Sequence, residues 1–140
     1  LDASGNELSM IPLPRETGEV ISYFPNGKVS RKYTYDHGRL SGVYEEFHDN
    51  GTQRYHVVFD KDEKEGAETH YYENGKVMYQ YQYKHGDLNG EAIHYHPNGK
   101  LKSKEYYLND LLHGWTEEYD ENGKLLHKYR YCNGVLYEKA

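Results

Sequence analysis

One cysteine, Cys132, rules out an internal disulfide and leaves the cellular compartment unmarked. Proline is confined to Pro12, Pro14, Pro25 and Pro97, and Trp115 is the sole tryptophan. No apolar run reaches the roughly 18 to 20 residues that span a bilayer, and no signal-peptide core is present. Apolar material is scarce as a whole, since hydrophobic residues make up 36% of the 140-residue chain and 17 of its residues are tyrosines. A thick two-layer core is out of reach for such a composition, but repeats that bury only against their neighbours need no common centre. Positive charge is short as well: 17 Lys and Arg against 23 Asp and Glu leave −6. That excludes nucleic acid as the expected partner and disfavours membrane lipid, because both are bound largely by neutralising phosphates. The expectation is a soluble chain, cytoplasmic or exported after processing.

What the chain has in abundance is period. Glycines at Gly18, Gly42, Gly66, Gly90 and Gly114 open five segments of 24 residues with no insertion or deletion. An aromatic follows at Tyr23, Phe47, Tyr71, Tyr95 and Tyr119, then an Asn-Gly pair at 26–27, 50–51, 74–75, 98–99 and 122–123. A second aromatic column stands at Tyr35, Phe59, Tyr83, Tyr107 and Tyr131. The segments between these marks alternate with period two, the signature of strands. The expected fold is therefore all-β: an elongated single-layer antiparallel meander of about ten strands, built from five β-hairpin repeats at 18–41, 42–65, 66–89, 90–113 and 114–137. Residues 1–17 are expected to form an irregular lead-in whose last part covers the first sheet edge.

Pro25 and Pro97 decide the hairpin turn. In a two-residue loop their position would donate a ladder N–H that proline lacks, whereas a three-residue loop accepts proline and places the following glycine at a left-handed position. That register sets Tyr23 against Val29, Tyr71 against Val77, Tyr95 against Leu101 and Tyr119 against Leu125, with Phe47 against Gln53 as the weak member. Continued along both strands, the same count puts Ala67, Thr69, Tyr71, Val77, Tyr79, Tyr81 and Tyr83 on one face. First strands carry mostly Glu and second strands mostly Lys or Arg, and ion pairs of Glu46 with Arg54 and Asp120 with Lys124 are expected to help fix register. The connector glycines at Gly38, Gly86 and Gly134 alternate with Asp62 and Asp110, a residue that tolerates positive φ.

The tandem of Gly, an aromatic, Asn-Gly, paired tyrosines and a second Gly resembles the MORN-repeat family, and more closely its bacterial variant with Tyr-x-x-Asn-Gly-Lys at its core. The resemblance covers residues 18–137. It implies a sheet of hairpins with a groove, used as an interaction module; bacterial variants are often labelled antitoxin-like, and eukaryotic relatives are associated with lipid binding or scaffolding. It transfers no catalytic residue.

Chemistry-bearing patterns are few. His70 and His94 share an offset in successive repeats, but equivalent positions lie two strands, roughly 9.5 Å, apart, too far for one zinc. No nucleophile has a base and an orienter at motif spacing, and the glycines belong to turns. No enzyme, no metal and no cofactor are expected. The primary reading is a non-enzymatic protein-binding module, antitoxin-like or a scaffold; a lipid-headgroup or carbohydrate groove and a small hydrolase are the alternatives. The candidate groove is Tyr71, Tyr81, Tyr83, Tyr95, Tyr107 and Tyr119, since tyrosine offers apolar area with a hydroxyl handle; the plain alternative is that these are core. A second candidate is the acidic loop Asp60, Asp62, Glu63 and Glu65 in the irregular second repeat, where Gln53, Val57, Asp62 and Lys64 break the columns and a basic partner would be steered.

Overall fold

The computed structural model describes residues 16–140, so the lead-in expected over residues 1–17 falls, apart from Glu16 and Thr17, outside the described residues. Among the described residues there is no helix. The strands are β1 Gly18–Tyr23, β2 Val29–Asp36, β3 Arg39–Phe47, β4 Gln53–Asp60, β5 Glu63–Tyr71, β6 Val77–Lys84, β7 Asp87–Leu88, β8 Gly90–Tyr95, β9 Leu101–Leu108, β10 Leu111–Leu112, β11 Gly114–Tyr119, β12 Leu125–Cys132 and β13 Val135–Lys139. They form one antiparallel sheet in chain order, with the two-residue β7 and β10 pairing only with β6 and β9. Eleven strands in line at ~4.8 Å each give an open sheet about 50 Å across.

Each hairpin closes as the prolines require. In the first repeat Phe24 N–H donates to Lys28 at 2.8 Å and Gly27 N–H to Phe24 at 2.9 Å, with Gly27 at φ 86°. The same two bonds recur at His48 and Thr52, Tyr72 and Lys76, His96 and Lys100, and Asp120 and Lys124. Tyr23 stands opposite Val29, Phe47 opposite Gln53, Tyr71 opposite Val77, Tyr95 opposite Leu101 and Tyr119 opposite Leu125.

One step past each turn the register departs from the sequence reading. His70 pairs with Tyr79 while Tyr71 pairs with Val77, so Met78 is an extra residue on its strand. Ser30, Arg54, Lys102 and Leu126 are its counterparts in the other repeats. A bulge of one residue reverses side-chain parity beyond it. Tyr79, Tyr81 and Tyr83 therefore share a face with His70, Glu68 and Gly66, and Ala67, Thr69 and Tyr71 lie on the opposite one, which corrects the face expected above. The candidate groove divides with it: Tyr81, Tyr83 and Tyr107 stand on one side, Tyr71, Tyr95 and Tyr119 on the other. The first side is called the tyrosine face below. The Glu46–Arg54 ion pair forms at 2.5 Å, with Arg54 in the bulge. Asp120 instead accepts the backbone N–H groups of Asn122 and Lys124, each at 2.9 Å, and makes no pair with the Lys124 ammonium.

Both ends of the strands are laced from one repeat to the next. On the turn side, Asn26, Asn50, Asn74 and Asn98 each donate a side-chain N–H to the carbonyl 23 residues on, at 2.9 to 3.4 Å. On the connector side the N–H groups of Asp62, Gly86, Asp110 and Gly134 donate to Leu40, Lys64, Leu88 and Leu112 at 2.8 to 3.0 Å. Gly42, at φ 94°, sits where an added Cβ would come within 2.5 Å of the Thr34 hydroxyl, so the opening glycine is fixed by a close approach as well as by backbone conformation.

Burial follows the corrected parity, Thr69 being a buried residue on the opposite face. Val57 on the tyrosine face is 0% exposed and its neighbour Val58, on the other face, 36%. Val57→Ala should lower stability by about 1.5 to 3 kcal/mol and Val58→Ala by less than about 0.5 kcal/mol, measured by urea unfolding. Equal losses would contradict this assignment of faces.

Candidate functional site

The tyrosine face carries one ring per strand along a line across six neighbouring strands. Tyr33 of β2 lies 5.5 Å from Tyr44 of β3, which lies 5.8 Å from Tyr55 of β4. Tyr55 is 4.4 Å from His70 of β5, His70 is 4.1 Å from Tyr79 of β6, and Tyr79 is 5.4 Å from His94 of β8. The Tyr33–Tyr44, His70–Tyr79 and Tyr79–His94 pairs lie within 24° of parallel. Rings stacked in this way cover one another's faces and offer edges and hydroxyls to an incoming surface. Burial pushes the pKa of His94, whose ring lies against Tyr79 and Tyr81, down from its ordinary value.

At the middle of the line stands a carboxylate that sequence reading passed over. Glu68 is 5% exposed, in the column filled elsewhere by Val20, Tyr44, Ala92 and Thr116. Lys64 makes an ion pair with it, and His70 Nε2 lies 3.2 Å from its other oxygen. The Lys64 ammonium also lies 5.0 Å from the Tyr83 ring centroid. Burial works to raise the Glu68 pKa, but hydrogen bonds from His70 and Lys64 and the lysine charge outweigh it, and the net shift is downward. Burial and the Glu68 charge together push the Tyr55 hydroxyl far above its ordinary range. Lys64 in a leucine column was the visible signal. Its reason, a buried acid four residues on, depended on knowing which column is buried.

The remaining candidates have structural duties. Tyr107 donates to Glu105 at 2.9 Å and Tyr119 to Glu117 at 2.7 Å. Tyr71 and Tyr95 accept through their carbonyls from His48 and Tyr72 of the preceding repeats at 3.0 and 2.8 Å. In the acidic loop, Asp60, Asp62 and Glu63 are exposed. Asp62 accepts Leu40 N–H at 2.7 Å, and Glu65 accepts His85 N–H at 2.8 Å, so two of its four carboxylates also tie connectors together. Among the described residues no group of three or more His, Cys, Asp or Glu comes together as a metal site would require.

An open meander of repeated hairpins, laced at both margins and lined on one side by a row of contacting rings, defines a tandem-repeat β-sheet module. The chain belongs to the MORN repeat variant family, whose sequence model matches residues 16–37, 64–85, 88–109 and 112–133. The matches keep the 24-residue step and pass over the second repeat, where Gln53, Val57 and Lys64 replace column residues. Members of this family are generally non-catalytic repeat modules. A search of curated proteins returned no match. Among solved structures, the chain is similar to one in "Crystal structure of GtfA/B complex bound to UDP and GlcNAc", at 13% identity and a TM-score of 0.32. That similarity covers 93% of this chain and 28% of the other.

Lys64→Leu, which restores the column residue, should cost about 1 to 3 kcal/mol because Glu68 is left buried without its ammonium. A partial rescue is expected when Glu68→Thr is added. The stabilisation from Glu68 is full above the unfolded carboxylate value of about 4.3 and is lost as pH falls through its lower folded value. The stability gap between wild type and Glu68→Gln should therefore narrow below about pH 4, as read by urea midpoints across pH.

Proposed function

We propose that this chain is a non-catalytic interaction module that holds a protein partner against its tyrosine face. The observation that carries the reading is the line of contacting rings from Tyr33 to His94, stacked at Tyr33–Tyr44 and along His70–Tyr79–His94 and edge-on or tilted at Tyr44–Tyr55 and Tyr55–His70. In its stacked pairs the ring faces are engaged with one another, which leaves less platform there for a sugar ring, while the edges and hydroxyls suit the mixed apolar and polar contacts of protein interfaces. The net charge of −6 weighs against lipid headgroups. Glu68 is committed to Lys64 and His70, which weighs against the hydrolase alternative. Antitoxin-like and scaffolding roles are both forms of this binding.

The test is affinity capture from host extract with wild type beside two variants of retained fold. Tyr79→Ser, in the middle of the line, should lower recovery of a specific partner at least tenfold. Tyr95→Ser, on the opposite face, should leave it unchanged. Partner recovery indifferent to Tyr79 would overturn the reading, as would binding to anionic vesicles that falls steeply with salt.

A further inference from the structure

The chain carries its own example of how this face takes a positive charge. Lys64 extends over the Tyr83 ring and pairs with Glu68, which stands opposite Tyr81 across the β5–β6 ladder. Glu46 of the preceding repeat is likewise met by a cation of the chain, Arg54. One repeat further on the ring is kept, as Tyr107, but Leu88 takes the place of the lysine. The pair Glu68–Tyr81 becomes Ala92–Glu105, so the carboxylate moves to the neighbouring strand while remaining on the same face.

Glu105 is partly buried, with Tyr107 on its own strand and Ala92 opposite, and the Tyr107 hydroxyl donates to one of its oxygens at 2.9 Å. Tyr81 and His94 complete the surroundings, 3.2 Å apart through the hydroxyl and Nε2. Gln80 pairs with Ile93 and Ala92 with Glu105, so Tyr81 falls beside Ala92, on the strand next to the one that faces Glu105, and burial together with the Glu105 charge pushes the Tyr81 and Tyr107 hydroxyls up. Among the described residues no Lys, Arg or His forms an ion pair with Glu105. The Ala92 floor is 1% exposed and too small to supply a contact of its own.

We propose that Glu105, Tyr81 and Tyr107 form a binding site for a lysine or arginine side chain of the partner, which would sit as Lys64 sits in the preceding repeat. A carboxylate fixed by a hydroxyl, with tyrosine rings beside it, gives a cation both charge and π attraction. The proposal rests on the tyrosine face being the partner-binding face and names what the partner brings to it.

The probe is the capped tripeptide acetyl-Gly-Lys-Gly-amide, with its Arg and norleucine counterparts, titrated into the intact chain while Tyr81 and Tyr107 ring resonances are followed by NMR. The Lys and Arg peptides should shift both rings saturably, and the uncharged norleucine peptide should not. Glu105→Gln should weaken binding at least tenfold, whereas Glu91→Gln on the opposite face should leave it unchanged. Leu88→Lys supplies an internal ammonium and should block the probe while raising the melting temperature, so the site is tested even where Glu105→Gln folds poorly. Equal shifts from norleucine, or full binding by both Glu105→Gln and Leu88→Lys, would overturn the proposal. Partner capture that needs Tyr79 but not Glu105 would reject the cation site and keep the tyrosine-face reading; probe binding without any Tyr79-dependent partner would do the reverse.

Discussion

The extra residue that follows each Asn-Gly turn sets the character of this sheet. A strand has a period of two, so one inserted residue sends everything beyond it to the other side. Without Met78, Tyr79, Tyr81 and Tyr83 would lie beside Ala67, Thr69 and Tyr71; with it they join Glu68 and His70. Because the insertion recurs in every repeat, the reversal recurs as well, and a single face collects rings from strand after strand. The other side keeps the Tyr71–Val77 type of pair near the turns and a mixed polar surface elsewhere.

Among the described residues the sheet is one layer thick with no second layer to hold its strands in order, and hydrogen bonds at its margins meet part of that need. Asparagine side chains at the turns and backbone N–H groups at the connectors reach from each repeat to the next at fixed offsets. Each repeat thus contacts only its neighbours, and its stability is a sum of local and nearest-neighbour terms. An insertion within a repeat would change the fixed offset of a laced pair, which favours the unvaried 24-residue step.

Within this uniform frame the third and fourth repeats differ in one way that matters chemically. Both place a carboxylate among tyrosines on the same face, and only the third supplies the ammonium to neutralise it. A buried charge without a partner is costly, so Lys64 and Glu68 go together. Glu105 is less buried than Glu68 and holds its charge with a hydrogen bond from the Tyr107 hydroxyl and no ion pair among the described residues.

The period, the loop length and the turn pairs were legible in the sequence because each depends on residues close together in the chain: Pro25 cannot donate, Gly27 adopts positive φ, and Asn26 and Gly27 recur with their neighbours. The placement of Asp62 in a glycine column was legible for the same reason, since its φ of 70° is a local property. The face occupied by each tyrosine was not. A bulge one residue past the turn leaves no mark in the alternation pattern, because Ser30, Arg54, Met78, Lys102 and Leu126 share no chemistry, and strand pairing alone decides which residue is left over. From that followed the buried column that holds Glu68, the line of rings from Tyr33 to His94 and the placement of Glu105 on the same face. Sequence determined what repeats and how each turn is made; tertiary pairing decided which side chains meet, because parity on a strand is a property of its partner as much as of itself.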